Sequence, residues 1–212
     1  MKYNLFYLVV MMALISCGRK ADQQTGLPYF NTPDFTPLWI DTGEIHNTHS
    51  IPPFSFTDQN GKTVSDATVR NKIYVVDFFF TRCGSICPKM TSNMNKVATA
   101  FARDNNVMML SHSVTPELDN VNVLSTYARQ RNINNPNWHL LTGNKEQIYN
   151  LARKGYFAED TVGYYKGSTE FLHTENFILI DKHRHIRGVY NGTIDLEVEN
   201  LIRHIKLLKH EG

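Results

Sequence analysis

Two cysteines separated by three residues, Cys83 and Cys87, stand in "FFFTRCGSICPKM" with Pro88 directly behind them. Such a pair suits reversible disulfide exchange, a structural disulfide, or shared ligation of a metal ion. Pro88 lacks an N–H and is tolerated in a helix only in its first turn, so the cysteines belong to the turn and opening of a helix. Unpaired N–H groups there, at the positive end of the helix dipole, favour a thiolate, and Arg82 and Lys89 add positive charge. Residues four apart in a helical turn face the same way, which permits a disulfide and equally permits two thiolates on one ion. A purely structural staple is the weakest of the three, because closing so short a loop removes little unfolded-state entropy.

A metal needs further ligands. Structural zinc takes four from cysteine, histidine or carboxylate, whereas Cu(I), which thiolates select, is satisfied by fewer. Two thiolates and one imidazole would make a three-coordinate site, open enough to give its ion away. Of the nine histidines, His46 and His49 fall in an entry segment, His204 and His210 on or beyond a terminal helix, and His183 and His185 beside a hairpin tip. All six read as solvated surface residues, with His183 and His185 able to take metal adventitiously. His112 reads as a hydrogen-bonded core residue on a buried strand, and His139 has no evident partner. His173, in "STEFLHTENFILID", sits in a loop a few residues before a strand.

The surrounding pattern says what must position these groups. "PFSFTDQNGKTVSD" predicts a β-hairpin about Asn60-Gly61. "KIYVVDFFF" (72–80) reads as a strand buried on both faces. A helix is expected from about Pro88 to Arg103, presenting Met90, Met94, Val97 and Phe101 on one face. A strand over 106–114 follows, then a helix from Pro116 to about Gln130, and "WHLLTG" leads into a third helix over 145–153. "NFILID" (176–181) is another strand, and Asp195 is placed to cap a last helix with Leu201, Ile205 and Leu208 facing inward. Alternating strands and helices predict an α/β fold, a central sheet with helices on both faces. A cysteine pair at the mouth of the helix after the first long buried strand is the thioredoxin-like arrangement. In such folds the loop holding His173 faces the cysteines, and redox members carry a cis-proline there. This chain has no proline between Pro136 and its end.

The N-terminus, "MKYNLFYLVVMMALISCGRK", has an early cation and an apolar run from Leu5 to Ile15, too short to span a bilayer, which takes roughly 20 residues. With Ser16-Cys17 directly behind, it resembles a bacterial lipoprotein signal. That resemblance implies residues 1–16 as signal peptide, a lipid on Cys17, and location in the cell envelope facing the periplasm. Residues 17–37, polar and proline-containing, read as a tether, leaving 38–212 as a single folded domain. A lipidated Cys17 would leave Cys83 and Cys87 as the pair in a compartment where disulfides form. The formal net charge of +2, with scattered cations, points away from nucleic acid as a partner.

"DFFFTRCGSICPKM", "SHSVTPELDNVNVLSTYA", "WHLLTG" and "FLHTENFILIDKHRHIRGVYNGT" together resemble the Sco (SenC/PrrC) family from about His49 to Leu208. The resemblance implies a thioredoxin-like fold with an added N-terminal hairpin and a helix-containing insertion. It implies copper, as Cu(I) or as Cu(II) with further help, held by Cys83, Cys87 and His173. It further implies delivery to the copper-receiving subunit of cytochrome c oxidase, which carries a dinuclear copper centre. Another copper chaperone or a thiol reductant would be a further partner. The other activity it implies is that of a thiol–disulfide oxidoreductase, in which Cys83–Cys87 reduces cysteines of the oxidase subunit or of other envelope proteins. Two positions depart from the family: Leu172 replaces an acidic residue before the histidine, and Thr115 replaces the aspartate of an S-V-D-P segment.

Overall fold

The computed structural model describes residues 26–40, 45–159, 161–167 and 169–211. The expected signal peptide and Cys17 lie outside these. Among the described residues nine strands form two sheets: a small antiparallel pair, β1 (Tyr29–Phe30) and β2 (Pro37–Leu38), and a seven-stranded mixed sheet. The latter comprises β3 (Ser55–Asp58), β4 (Thr63–Ser65), β5 (Ile73–Phe79), β6 (Val107–Ser113), β7 (Trp138–Thr142), β8 (Asn176–Ile180) and β9 (Ile186–Asn191), in the order β4-β3-β7-β6-β5-β8-β9. Strands β5, β6 and β7 run parallel, and their neighbours on both sides are antiparallel.

The central strand β5 is buried along its whole length, as an apolar run in a two-sided sheet requires. Alternation splits its side chains between two cores. Ile73, Val75 and Phe79 enter the layer under helices α1 (Ile86–Ala100), α2 (Val121–Gln130) and α5 (Asp195–His210). Tyr74, Val76 and Phe78 enter the opposite layer, which α3 (Lys145–Asn150) and the π-helical turn Leu151–Gly155 cover. A short helix α4 (Thr161–Tyr164) follows that turn before β8. Helix α1 buries Met90, Met94 and Val97, and α5 buries Val198, Leu201, Ile205 and Leu208, the faces their periodicity predicts. Each such side chain is worth about 1.5–3 kcal/mol once removed from water.

Several boundaries differ from the sequence reading, each for a local reason. Helix α2 begins at Val121 and not at Pro116, because Asn120 caps it by accepting the Val123 N–H (3.1 Å). The preceding Thr115–Asp119 stretch is a turn closed by Leu118 and Asp119 N–H bonds to the Thr115 carbonyl (2.8 and 2.9 Å). The N-cap of α5 is Ile194; Asp195 lies in the first turn and pairs with Lys89 and Lys96 (2.7 and 3.2 Å). The β3–β4 turn is wider than the Asn60-Gly61 dipeptide, and Asp58 closes it by accepting the N–H groups of Asn60 and Lys62. Gly61, at φ 74°, supplies the left-handed residue the turn needs.

The expectation of a tether as far as residue 37 is corrected. Arg187 bonds the carbonyls of Leu27 and Pro28 (2.6 and 3.1 Å) and stacks on Tyr29 (3.9 Å), while Glu211 accepts the Leu27 N–H (3.0 Å). Leu27 is buried in the α1-side core, so the described part of this segment is strapped to the domain. Among the described residues no helix is long and apolar enough to cross a membrane.

His112 is buried as expected, yet neither ring nitrogen has a hydrogen-bond partner. Phe54, Phe56, Phe78 and Tyr156 enclose it. Burial alone pushes its pKa down to about 3. The folded state thus refuses a proton that the unfolded chain accepts below about 6.5, and stability falls as pH drops through that window. His112→Leu is expected to be at least as stable as the parent at pH 7, since no unpaired nitrogen remains buried. Its advantage should widen below pH 6, as read by urea unfolding; a gap independent of pH contradicts this account.

Candidate metal and thiol site

Strand β5 hands the chain to α1 through the cysteine motif. Cys83 lies in the connecting turn, its N–H bonded to the Phe80 carbonyl (3.2 Å), and Cys87 lies in the first turn of α1. Both are free thiols, buried in the core layer under α1, while Arg82, Gly84 and Ser85 between and beside them are exposed. The backbone of the turn therefore meets solvent and the sulfurs face inward.

The start of α1 has no side-chain cap. Its N–H groups converge instead on the Cys83 sulfur, which accepts from the backbone of Ser85, Ile86 and Cys87 and from the Cys87 thiol. Burial works to raise the Cys83 pKa, but these donors outweigh it and hold the thiol below its ordinary value. Burial and the neighbouring Cys83 push the Cys87 thiol up. The pair is thus asymmetric, with Cys83 the more readily ionised of the two thiols. Helix-start activation is as the sequence suggests, but Lys89 takes no part in it, its ammonium being held by Asp195 (2.7 Å).

One contributor escapes the sequence reading. Asp77, between Val75 and Phe79 on β5, shares the cysteine side of the sheet and is buried. One of its oxygens has no partner; the carboxyl accepts from Ser111, whose hydroxyl in turn accepts the Trp138 indole N–H (2.9 Å). Burial pushes its pKa up to about 7, and its charge adds to the effects raising Cys87. The only signal was a single acid in an otherwise apolar strand.

His173 is exposed, three residues before β8. Its neighbours Leu172 and Thr174 are both buried, so alternation turns the imidazole outward. Phe171 packs edge-on against Phe80 (5.5 Å), which ties this loop to the cysteine turn. Among the described residues no three His, Cys, Asp or Glu side chains gather closely enough to hold a metal ion. The fold brings Cys83 and Cys87 together and leaves His173 outside that group.

The other histidines have occupations of their own. His49 contacts the Gly155 carbonyl (2.6 Å), His139 the Asp58 carboxylate (3.0 Å) and His204 the Tyr190 hydroxyl (2.7 Å). His185, expected at the surface, is buried beside Asp181 (3.5 Å) because the hairpin tip folds back over that carboxylate. The side chain of His46 falls outside the described residues.

A sequence profile of the SCO1/SenC family matches residues 42–209. The chain belongs to the SCO1/SenC family. A SCO1/SenC family lipoprotein from Bacillus anthracis str. Ames is similar in structure, at 30% identity and a TM-score of 0.66, over 76% of this chain and 95% of its own. BsSco, described as a member of the Sco family of cytochrome c oxidase assembly proteins with a disulfide switch, is similar at 28% identity and a TM-score of 0.63, over 76% and 93%. A protein of Stutzerimonas stutzeri named for copper binding is 26% identical over 154 residues, 70% of this chain and 72% of its own. The thioredoxin-like sheet with flanking helices expected from sequence is the fold this SCO1/SenC chain shares with the two solved structures.

Proposed function

We propose that this SCO1/SenC protein is a copper carrier of the cell envelope, loading Cu(I) on Cys83 and Cys87 and passing it to the copper-receiving subunit of cytochrome c oxidase. The single observation that carries the reading is the pair of free, buried cysteines brought together at an uncapped helix start. Two soft sulfurs with few hard ligands nearby suit Cu(I) better than zinc, calcium or magnesium. Loading displaces the proton of Cys87, so it is pH-dependent and requires the reduced pair. The copper-binding and oxidase-assembly descriptions of the relatives support the same cargo and client.

His173 completes the site in this reading as third ligand, by inward movement of the loop whose Phe171 already rests on Phe80. Because it is exposed and not locked in the core, it can also let go, which a carrier needs. His173→Ala is expected to weaken Cu(I) binding about 10–100-fold while leaving disulfide formation by the cysteines intact. Competition with a Cu(I) chelator, alongside thiol titration, checks both halves. Unchanged copper affinity removes His173 from the site.

A lipid on Cys17 would hold the domain at a membrane facing the periplasm, in line with the lipoprotein description of the Bacillus anthracis relative. The second reading, thiol–disulfide exchange on the oxidase subunit, draws on the asymmetry of the pair, since a low-pKa Cys83 is fit to attack a disulfide. One assay separates the two. Copper-loaded protein is mixed anaerobically with the oxidase-subunit domain, its cysteines already reduced. Movement of copper to the acceptor supports the carrier; no movement, with fast reduction of an oxidised acceptor, supports the exchange enzyme.

A further inference from the structure

The turn that carries Cys83 is exposed and irregular, yet a carboxylate beneath it is fully buried. Asp119, in the turn before α2, accepts four hydrogen bonds. The Thr81 N–H (3.2 Å), the Ser113 hydroxyl (2.5 Å) and the Thr115 hydroxyl (3.0 Å) reach one oxygen, and the Thr81 hydroxyl (2.5 Å) reaches the other. Thr81 is two residues before Cys83, and Ser113 ends β6. Thr115 joins the cluster again through its N–H on the Ser113 hydroxyl (3.1 Å). Across the same strand ends, the Val114 N–H bonds the Phe79 carbonyl (2.9 Å).

We infer that Asp119 is the positioning residue of the dithiol: it fixes the Thr81 end of the cysteine turn so that Cys83 is held against the helix start before any disulfide or metal bridges it. The clamp is strong because hydrogen bonds to a buried carboxylate are charge-assisted. It is specific because two of the four bonds go to a single residue of the motif loop. Thr115 takes part through its own hydroxyl, so the threonine at this position contributes a donor to the clamp.

This inference deepens the copper-carrier reading and rests on it only for the metal half of its test. Holding two thiols together raises their effective concentration for each other and for a shared ion alike. Loss of the clamp should therefore weaken both by the same factor, about 10–100-fold, as when an outer partner of a metal ligand is removed. The copper half is a chelator competition for Cu(I) under anaerobic conditions. The thiol half is equilibration with glutathione, in which the two protein thiols and one oxidised glutathione give the protein disulfide and two reduced glutathiones.

Asp119→Ala is expected to lower both constants together, at a temperature where the variant is still folded by circular dichroism. Asp119→Asn should restore most of the loss, because its carbonyl oxygen can accept where three donors meet and the Thr81 hydroxyl can turn to accept from the amide. Thr81→Val, which deletes one bond of the four, should show a smaller parallel loss, and Thr81→Ser should show none. Thr81→Val carries the test alone if Asp119→Ala does not fold. A glutathione equilibrium unchanged in Asp119→Ala, or in Thr81→Val where that variant stands in, overturns the assignment. If the parent protein itself binds no Cu(I), the carrier reading fails, and the glutathione half still decides on Asp119.

Discussion

The Cys83→Ser/Cys87→Ser protein is expected to lose Cu(I) binding by about four orders of magnitude or more, on the order of 5 kcal/mol. Serine keeps the size and the hydrogen-bonding capacity of the site, and its hydroxyl can still accept the N–H groups at the start of α1. What it removes is the soft, ionisable donor. At neutral pH a serine stays protonated, so no anionic ligand replaces the Cys83 thiolate. The fold should tolerate the change, since no disulfide joins the two residues in this structure and neither fills a large volume. Thermal unfolding within a few degrees of the parent, together with the loss of competition against a Cu(I) chelator, is the expected pair of results. Retained affinity would place the metal elsewhere and leave the cysteines to redox work alone.

The second large effect concerns Asp77. Its pKa, raised by burial to about 7, means that the unfolded chain gives up a proton that the folded chain keeps. A carboxyl shifted upward contributes stability that is fully present below its unfolded value, near 3.8, and is lost as pH rises through the folded value. Asp77→Asn, which is close in shape to the protonated acid and can keep the Ser111 bond, removes that loss. Its advantage over the parent should open between about pH 4 and 7 and level off above, reaching on the order of 2–4 kcal/mol at pH 8. The comparison is cleanest in the Cys83→Ser/Cys87→Ser background, where no thiol titrates beside the carboxyl. Urea midpoints at pH 5 and pH 8 read it directly, and a variant less stable than its parent at pH 8 contradicts the assignment. His112 acts in the opposite direction over much the same range, costing stability as pH falls, so between about pH 4 and 6.5 the two buried groups largely offset each other and each effect is read from its own variant.

The sheet and most helices were legible because their signals are local. "KIYVVDFFF" can only be a strand covered on both sides, and Met90, Met94 and Val97 fall on one face by spacing alone. Pro88 fixed the cysteines at a helix mouth, and the structure places it within the first turn of α1. What local pattern could not show was partnership across the chain. Nothing near Thr81 reveals that its hydroxyl meets Asp119, and nothing near Leu27 reveals Arg187 and Glu211 waiting for it. Proline at 116 suggested a helix start that lost to Asn120, because Asp119 is drawn away to the cysteine turn. His112 was legible as buried but not as unpaired, since the aromatic side chains that surround its ring come from distant segments and offer its nitrogens no hydrogen bond. For the site itself, the cysteine pair was readable in sequence and His173 was readable only as a candidate. Its side chain points outward because Leu172 and Thr174 on either side are buried, a constraint set by packing.

The central claim is that copper sits on the two motif sulfurs with the loop histidine as third ligand. X-ray absorption spectroscopy at the copper edge, on the reduced protein loaded anaerobically with one Cu(I), tests it most directly. The account predicts two sulfur ligands and one nitrogen, with the nitrogen gone in His173→Ala and both sulfurs gone in Cys83→Ser/Cys87→Ser. A copper environment without sulfur, or one unchanged by the double substitution, would contradict it.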